Sequence, residues 1–408
     1  MSFYNHSDTP KMYNGLTSHP LITNSQENMG YKKYVSIHSE DRDITKFPNS
    51  NEFDIELPED LFSIVSIRLS AWNFPDNLNT FSALNCNIAM NFTITNPYNP
   101  GAHGVGDPLQ SAVFACLFLT QAQAYTAVIE EGNYYPDQMA TALTNAFNAA
   151  VTQRVVAYFT EKAITDPTYV GLLSQFILGG GYHNFIMTYN SVTGKIWFGN
   201  TSDGFTLLQG SGDCFQCVNS ARQPEYSKWG LPYNVGLPKN NVVSINPPAN
   251  SVSFNYLPVS SGPWLTATLP GALCYYVEPA YKLSLSGAQI FYMELHGQNC
   301  IDEMLPYNKN GFTMHTNETN GRVNSAFAKI TTPTSFCIDR DSIPYKTYTP
   351  PAERMRKLRI KFRYHNGQPV DFGLAEYSVV LEFVLLQPQQ TRGVKLGGVV
   401  ANNYLQMN

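Results

Sequence analysis

A chain of 408 residues with 26 Lys and Arg against 31 Asp and Glu has a net charge of −5, and only 14% of its residues are charged, against roughly 25% in an average soluble domain. Aromatic residues make up 13%, and 28 Gly and 26 Pro supply turns, so the chain can bury a sizeable core and wholesale disorder is excluded. No dominant basic block is present to neutralise phosphates, which argues against non-specific nucleic-acid binding. Few charges with many Tyr, Phe and Asn suit a surface that other proteins cover.

Residues 1–30 show no hydrophobic period and no apolar leader core, and read as an extended arm. The first alternation is Tyr34-Val35-Ser36-Ile37-His38, a half-buried strand. Phe53-Asp54-Ile55-Glu56-Leu57 follows and is expected to end at Pro58. Ile64-Val65-Ser66-Ile67-Arg68-Leu69 and Ile88–Ile94 are the next strands. The longest apolar run, Ala112–Leu119, is far short of the about 20 residues of a membrane span, and Val113–Leu119 within it reads as another strand. Met139, Leu143, Ala146, Phe147, Ala150 and Val151 recur on one stripe, predicting a single amphipathic helix with Pro136 in its first turn. Further strands are expected at Phe185–Tyr189, Lys195–Phe198, Val252–Tyr256, Ala288–Leu295, Phe327–Thr331, Leu358–Tyr364 and Tyr377–Leu386. The first two form a hairpin with Gly194 at its turn. After Gln387-Pro388 periodicity fades, and Gly393, Gly397 and Gly398 mark a C-terminal arm.

Seven scattered cysteines make no disulfide framework, and the absence of a leader suggests a soluble protein of a reducing compartment. The sequons at Asn5, Asn91, Asn200 and Asn317 are then chance matches. Cys214 and Cys217 have zinc-like C-x-x-C spacing, but no second ligand pair accompanies them, so they are weak metal candidates and otherwise buried thiols. Gly179-Gly180-Gly181 lacks the Lys and Ser or Thr of a phosphate loop and reads as a turn. None of the eight histidines belongs to a metal or nucleophile motif, so neither an enzyme nor a cofactor is expected.

The one basic cluster is Arg354-Met355-Arg356-Lys357-Leu358-Arg359-Ile360-Lys361-Phe362-Arg363. Its alternation places Arg359, Lys361 and Arg363 on one strand face, with Leu358, Ile360 and Phe362 toward the core. That face is either simply solvated or meets acidic neighbours in an assembly, with nucleic acid the remaining alternative. Arg42, between Asp41 and Asp43, is suited to bracket a strand end through charge-assisted hydrogen bonds or to form an exposed ion pair. Trp229 and Tyr233, in a Gly- and Pro-containing loop, serve either as core plugs or as anchors on a neighbouring subunit.

Several short segments, taken in order, resemble the minor capsid and penton proteins of large icosahedral nucleocytoplasmic DNA viruses. They are Ser39-Glu40-Asp41-Arg42-Asp43, Phe53-Asp54-Ile55-Glu56-Leu57-Pro58, Ser66-Ile67-Arg68-Leu69, Glu131-Gly132-Asn133-Tyr134 and the hairpin Thr188-Tyr189-Asn190 to Thr193-Gly194-Lys195-Ile196. Trp229-Gly230-Leu231-Pro232-Tyr233-Asn234, Phe327-Ala328-Lys329-Ile330, Lys361-Phe362-Arg363-Tyr364-His365-Asn366-Gly367, Val370-Asp371-Phe372 and Leu381-Glu382-Phe383 complete the series. The resemblance implies a mainly β jelly-roll sandwich without enzymatic activity. One elaborated roll over residues 31–387, with an insertion around 100–250, is favoured over a double roll; residues 1–30 and 388–408 are the arms. It further implies a virion component assembled in the host cytoplasm, with the major capsid protein and other minor capsid proteins as partners. A penton that closes the fivefold vertex as a pentamer is the near alternative. A receptor- or glycan-binding jelly roll using Trp229 or Trp264 is the rival from another class. Arg42, Asp43, Trp229, Tyr233, Arg359, Lys361 and Arg363 are the interface candidates.

Overall fold

Strands dominate the chain, as the alternating segments predict. The computed structural model describes residues 30–75, 78–121, 123–209, 230–246, 251–252, 264–287, 289–303, 324–331, 344–365, 367 and 369–386. In chain order the first elements are β1 (Gly30–His38), β2 (Glu52–Asn73), β3 (Ala89–Asn96), α1 (Pro108–Leu119), β4 (Tyr125–Val128), α2 (Pro136–Ala163) and α3 (Thr168–Leu178). They are followed by β5 (Phe185–Asn190), β6 (Lys195–Asn200), β7 (Gly204–Leu208), α4 (Leu231–Asn234), β8 (Val242–Val243), β9 (Ser251–Val252), β10 (Leu265–Thr266) and β11 (Tyr275–Val277). The last are β12 (Ile290–Leu295), β13 (Ile301–Glu303), β14 (Asn324–Ala326), β15 (Ala328–Thr331), β16 (Tyr345–Arg363) and β17 (Ser378–Leu386). The chain is mainly β with a curled sheet and few helices, the class expected of a jelly-roll protein. The expected arms lie outside the described residues, except that Gly30, counted with the N-terminal arm, is the first residue of β1.

Two compact units are formed, one from residues 1–76, 289–306 and 312–408, the other from residues 77–288 and 307–311. The first is built on a six-stranded sheet in the order β1-β17-β2-β16-β12-β15. Its longest strand, β2, corrects the expectation that Pro58 ends a strand: the strand runs on to Asn73 by slipping register. Glu56 pairs with Lys357 and Leu61 with Met355, so residues 57–60 stand outside that ladder and Pro58 needs no N–H partner there. Against β17, Ser70 and Val65 are each one residue too many. The extra Val65 reverses the pleat, so the buried series changes phase between Ile64 and the pair Ile67 and Leu69. Bulges of this kind bend a strand and increase its twist, which curls the sheet. Phe74, Phe291, Phe362, Phe372 and Tyr377 fill the core in edge-to-face and stacked pairs with centroids 4.6–6.1 Å apart.

The second unit has a four-stranded sheet, β4-β3-β7-β8, and a three-stranded sheet, β11-β6-β5. The residues 100–250 read as an elaboration fall inside it. The β5–β6 hairpin turns as expected, with Gly194 at φ 71° and the Asn190 side chain accepting from the Val192 and Thr193 N–H groups. Among the described residues, three substantial helices and the one-turn α4 replace the single predicted helix. Val113–Leu119 is helical, not a strand: Asp107 caps the Leu109 N–H, Pro108 occupies the first turn, and burial falls on Ala112, Cys116 and Leu117. A continuous apolar run has no period to distinguish the two forms, and the cap decides. The predicted stripe is right but too short, because it continues through Val155 and Phe159 along a helix about 42 Å long. Helix α3 begins where Asp166 accepts from the Thr168 N–H and hydroxyl, and ends with Gly180 and Gly181 at φ 85° and 76°. The Gly triplet is therefore a helix exit, where positive φ favours glycine.

Candidate functional site

The sequence-derived interface residues divide into a stitched corner, an exposed charged ladder and a buried ion cluster. At the corner, residues 39–41 form a single 3₁₀ turn after β1. The Asp41 carboxylate accepts from the His38 N–H at 2.8 Å. Arg42 donates from Nη1 to the Ser39 carbonyl at 2.5 Å, from Nε to that of Phe47 at 3.1 Å and from Nη2 to that of Pro48 at 3.3 Å. One half-buried guanidinium thus ties three carbonyls of a loop that has no ladder of its own. Asp43 stays exposed, and Thr45 and Lys46 hydrogen-bond its carboxyl and hold it below the usual carboxylate range. Opposite the corner, Ser39 and Tyr377 exchange two hydrogen bonds, and the buried Tyr377 hydroxyl donates to the Ser50 carbonyl at 2.5 Å.

The basic strand lies along the acidic half of β2. Arg354 meets Asp60 at 2.6 Å, Lys357 meets Asp54 at 2.7 Å, Arg359 meets Glu52 at 2.5 Å, and Arg356 reaches Glu56 at 3.8 Å. The acidic partner of this cluster is the chain's own strand rather than a neighbour in an assembly, and the cations from Arg354 to Arg359 are paired along it. Leu358, Ile360 and Phe362 do face the core, and Arg359 is exposed as predicted. Lys361 is half-buried at the end of this ladder.

Arg363 departs from the expected solvent-facing row. Its side chain is 3% exposed and donates to Glu303, itself 3% exposed, and to Glu294. Burial opposes its charge, but the hydrogen bonds it donates to Glu303 and Glu294 outweigh this and raise its pKa, so that the guanidinium stays protonated. His365 contacts the second Glu303 oxygen at 2.9 Å, and Tyr292 lies under the guanidinium at 5.4 Å. The reason is positional: strand alternation orients a side chain but does not say what packs above it, and here β13 brings Glu303 over that face. In the sequence Glu382 stands only as part of a motif. It is also nearly buried, on the face of β17 opposite the core, paired with Lys32 at 3.1 Å and Arg68 at 3.0 Å.

Of the loop pair, Tyr233 is half-buried on α4, whereas Trp229 lies outside the described residues, as do Cys214 and Cys217. Cys86, one of the scattered cysteines from which the sequence suggests a reducing compartment, is disulfide-bonded. It sits in a turn at φ 53°, not inside an apolar strand. Trp264 packs edge-on against Trp197, and a Cβ at Gly199 would come within 2.4 Å of its ring, so part of its surface is used inside the chain.

Chemistry finds little purchase among the described residues. No three His, Cys, Asp or Glu side chains converge as a metal site would require. Burial pushes the Cys116 thiol up to about 12 and also raises those of Cys274 and Cys300, the opposite of nucleophile activation. Asp203 is buried, but its oxygens accept from the Tyr98 N–H, the Tyr182 hydroxyl and the Ser202 hydroxyl within 2.7 Å, an arrangement that joins three segments of the second unit. Among the described residues no helix is long and apolar enough to cross a membrane.

No family model matches the chain, and no curated protein matches it. Among solved structures it is similar to a chain of the Sputnik virophage, solved by cryo-electron microscopy, with a TM-score of 0.32, 12% identity and coverage of 88% of this chain and 98% of that one. It is also similar to the mavirus penton protein, with a TM-score of 0.32, 7% identity and coverage of 86% of this chain and 99% of that one. A TM-score of 0.32 matches the backbone path only loosely, so neither neighbour carries an argument about this chain's role.

Proposed function

We propose that this protein is a structural component of an icosahedral virus capsid, a minor capsid protein that binds the major capsid lattice and other minor components within the virion. The observation that carries the reading is how the residues of the capsid-like segments are used. Arg42 ties the first corner, Arg363 and Glu382 anchor buried ion pairs, and Phe372 packs in the aromatic core. These side chains maintain shape, and none of them is arranged for chemistry. A shell protein needs this, since its work is to hold surfaces in fixed relation. The second unit adds surface for such work: Phe118, Leu119, Ile164, Val170, Ile177 and Leu178 are 55–87% exposed on or beside its helices. Uncovered aliphatic and aromatic side chains in such number suit a surface that neighbouring subunits bury.

Quantitative mass spectrometry of purified particles tests the proposal as copies per major capsid protein. Several hundred copies per particle support a lattice-spanning minor component, whereas about 60 would reassign the chain to the twelve fivefold vertices as a penton. Absence from particles would overturn the capsid reading.

A further inference from the structure

In the second unit, β4 is an edge strand that pairs only with β3 among the described residues. The Ile129 N–H bonds to the Ile88 carbonyl, which fixes the phase of the ladder: Tyr125, Ala127 and Ile129 turn their backbone groups toward β3, and Thr126 and Val128 turn theirs outward. Beside this edge runs a groove of about 640 Å³ between β4 and α2, lined by Val128, Ile129, Ala142, Ala146 and Ala149 together with Gln138, Thr141 and Asn145, and including the carboxylates of Glu130 and Asp137. The alanines recur at i, i+4 and i+7, so one side of α2 leaves room for a backbone to approach. The groove therefore offers three things to an extended segment: outward N–H and C=O groups, an alanine stripe fit for small side chains, and negative charge from Glu130 and Asp137.

One part of this chain has the complementary chemistry. Residues 387–408 contain Arg392 and Lys395 and no Asp or Glu, and they combine Val394, Leu396, Val399 and Val400 with Gly393, Gly397 and Gly398. Extended, this stretch would put Val394, Leu396 and Val400 on one face and keep the backbone thin at its glycines. Residues 1–29 fit less well, because Asp8 and Glu27 outweigh Lys11. We infer that the β4–α2 groove receives residues 392–400 of a second copy of this chain as an added strand, with Arg392 and Lys395 near Glu130 and Asp137. The inference rests on the capsid reading only in supplying neighbouring copies.

The test places a photo-crosslinking amino acid at Val394 of the full chain and irradiates an equal mixture of isotope-labelled and unlabelled protein. Mass spectrometry is expected to find mixed-label peptides that join position 394 to residues 125–149. Ala146→Arg, which fills the floor and repels the basic segment, should reduce their yield about tenfold. The pair Glu130→Lys and Asp137→Lys changes only exposed side chains and should reduce it comparably, so a folding defect in the first variant cannot mimic the result. Crosslinks confined to one copy, crosslinks that omit residues 125–149, or yields unchanged in both variants would overturn the inference. Failure of the capsid reading shows separately, as absence from particles.

Discussion

The two ends of β16 carry the same kind of side chain under opposite conditions. From Arg354 to Arg359 the cations are about half exposed and each faces a carboxylate of β2 across the ladder. At Arg363 the guanidinium is almost wholly buried, and it holds two carboxylates that have almost no other source of positive charge. In the exposed half water already solvates each charge, so a pair adds little beyond register. In the buried half water has been removed, and each ion depends on the others. A basic strand that reads as one interface is thus a solvated ladder at one end and a structural anchor at the other.

Breaking the buried end should have the largest effect. Arg363→Ala leaves the buried Glu303 and the partly exposed Glu294 without their cation and is expected to destabilise the chain by about 3–5 kcal/mol, measured as the loss in urea unfolding free energy. Arg363→Met restores volume but not charge and should recover little on its own. Combined with Glu303→Gln it should recover a substantial part, because the cost arises from the abandoned carboxylate. An Arg363→Ala loss below about 1 kcal/mol would place this cluster with the exposed pairs.

Glu382 extends the comparison to pH. Burial pushes its carboxyl up, but hydrogen bonds from Arg68, Lys32 and Tyr34 outweigh it and hold the group below its usual range. As pH falls, the unfolded chain takes up this proton before the folded chain does. The stabilisation is therefore complete above the ordinary carboxylate range and is lost as pH falls through the lowered native value. Glu382→Gln should flatten the acid limb of a melting-temperature profile between about pH 5 and pH 2. A variant whose acid limb runs parallel to that of the parent would show that Glu382 does not titrate as a paired group.

What could be read from the residues follows the same division. Strand identity was legible wherever a strand has one wet face, as in Tyr34–His38 or Phe53–Leu57, because alternation reports burial directly. The helix at Pro136 announced itself by its stripe, and the hairpin by Gly194. Helix α1 was hidden by uniform apolarity, and the length of β2 by Pro58, whose missing N–H a register slip renders harmless. For the candidate site, the row Arg359, Lys361 and Arg363 was correctly phased, yet nothing near Arg363 in sequence names its partner. Glu303 is 60 residues away and reaches it through β13, a strand too short to show a period. Pairing at that separation is set by topology, which a local pattern does not encode.

The smallest expected effect is on the exposed ladder. Arg359 reaches Glu52 through both Nε and Nη2, the best geometry of the four pairs, yet its side chain is 54% exposed. Arg359→Ala should shift the urea unfolding midpoint only slightly, and the difference from the parent should shrink further in 1 M salt, where screening acts over about 3 Å. The aliphatic part of Arg359 covers some strand surface, so Arg359→Met separates charge from packing: it should lie between the parent and the alanine variant at low salt and coincide with the parent at high salt. The same salt series on Arg363→Ala should show almost no change, since mobile ions do not reach a buried cluster. Equal salt dependence at the two positions would mean that the ends of β16 share one electrostatic environment, and the distinction drawn between ladder and anchor would fail.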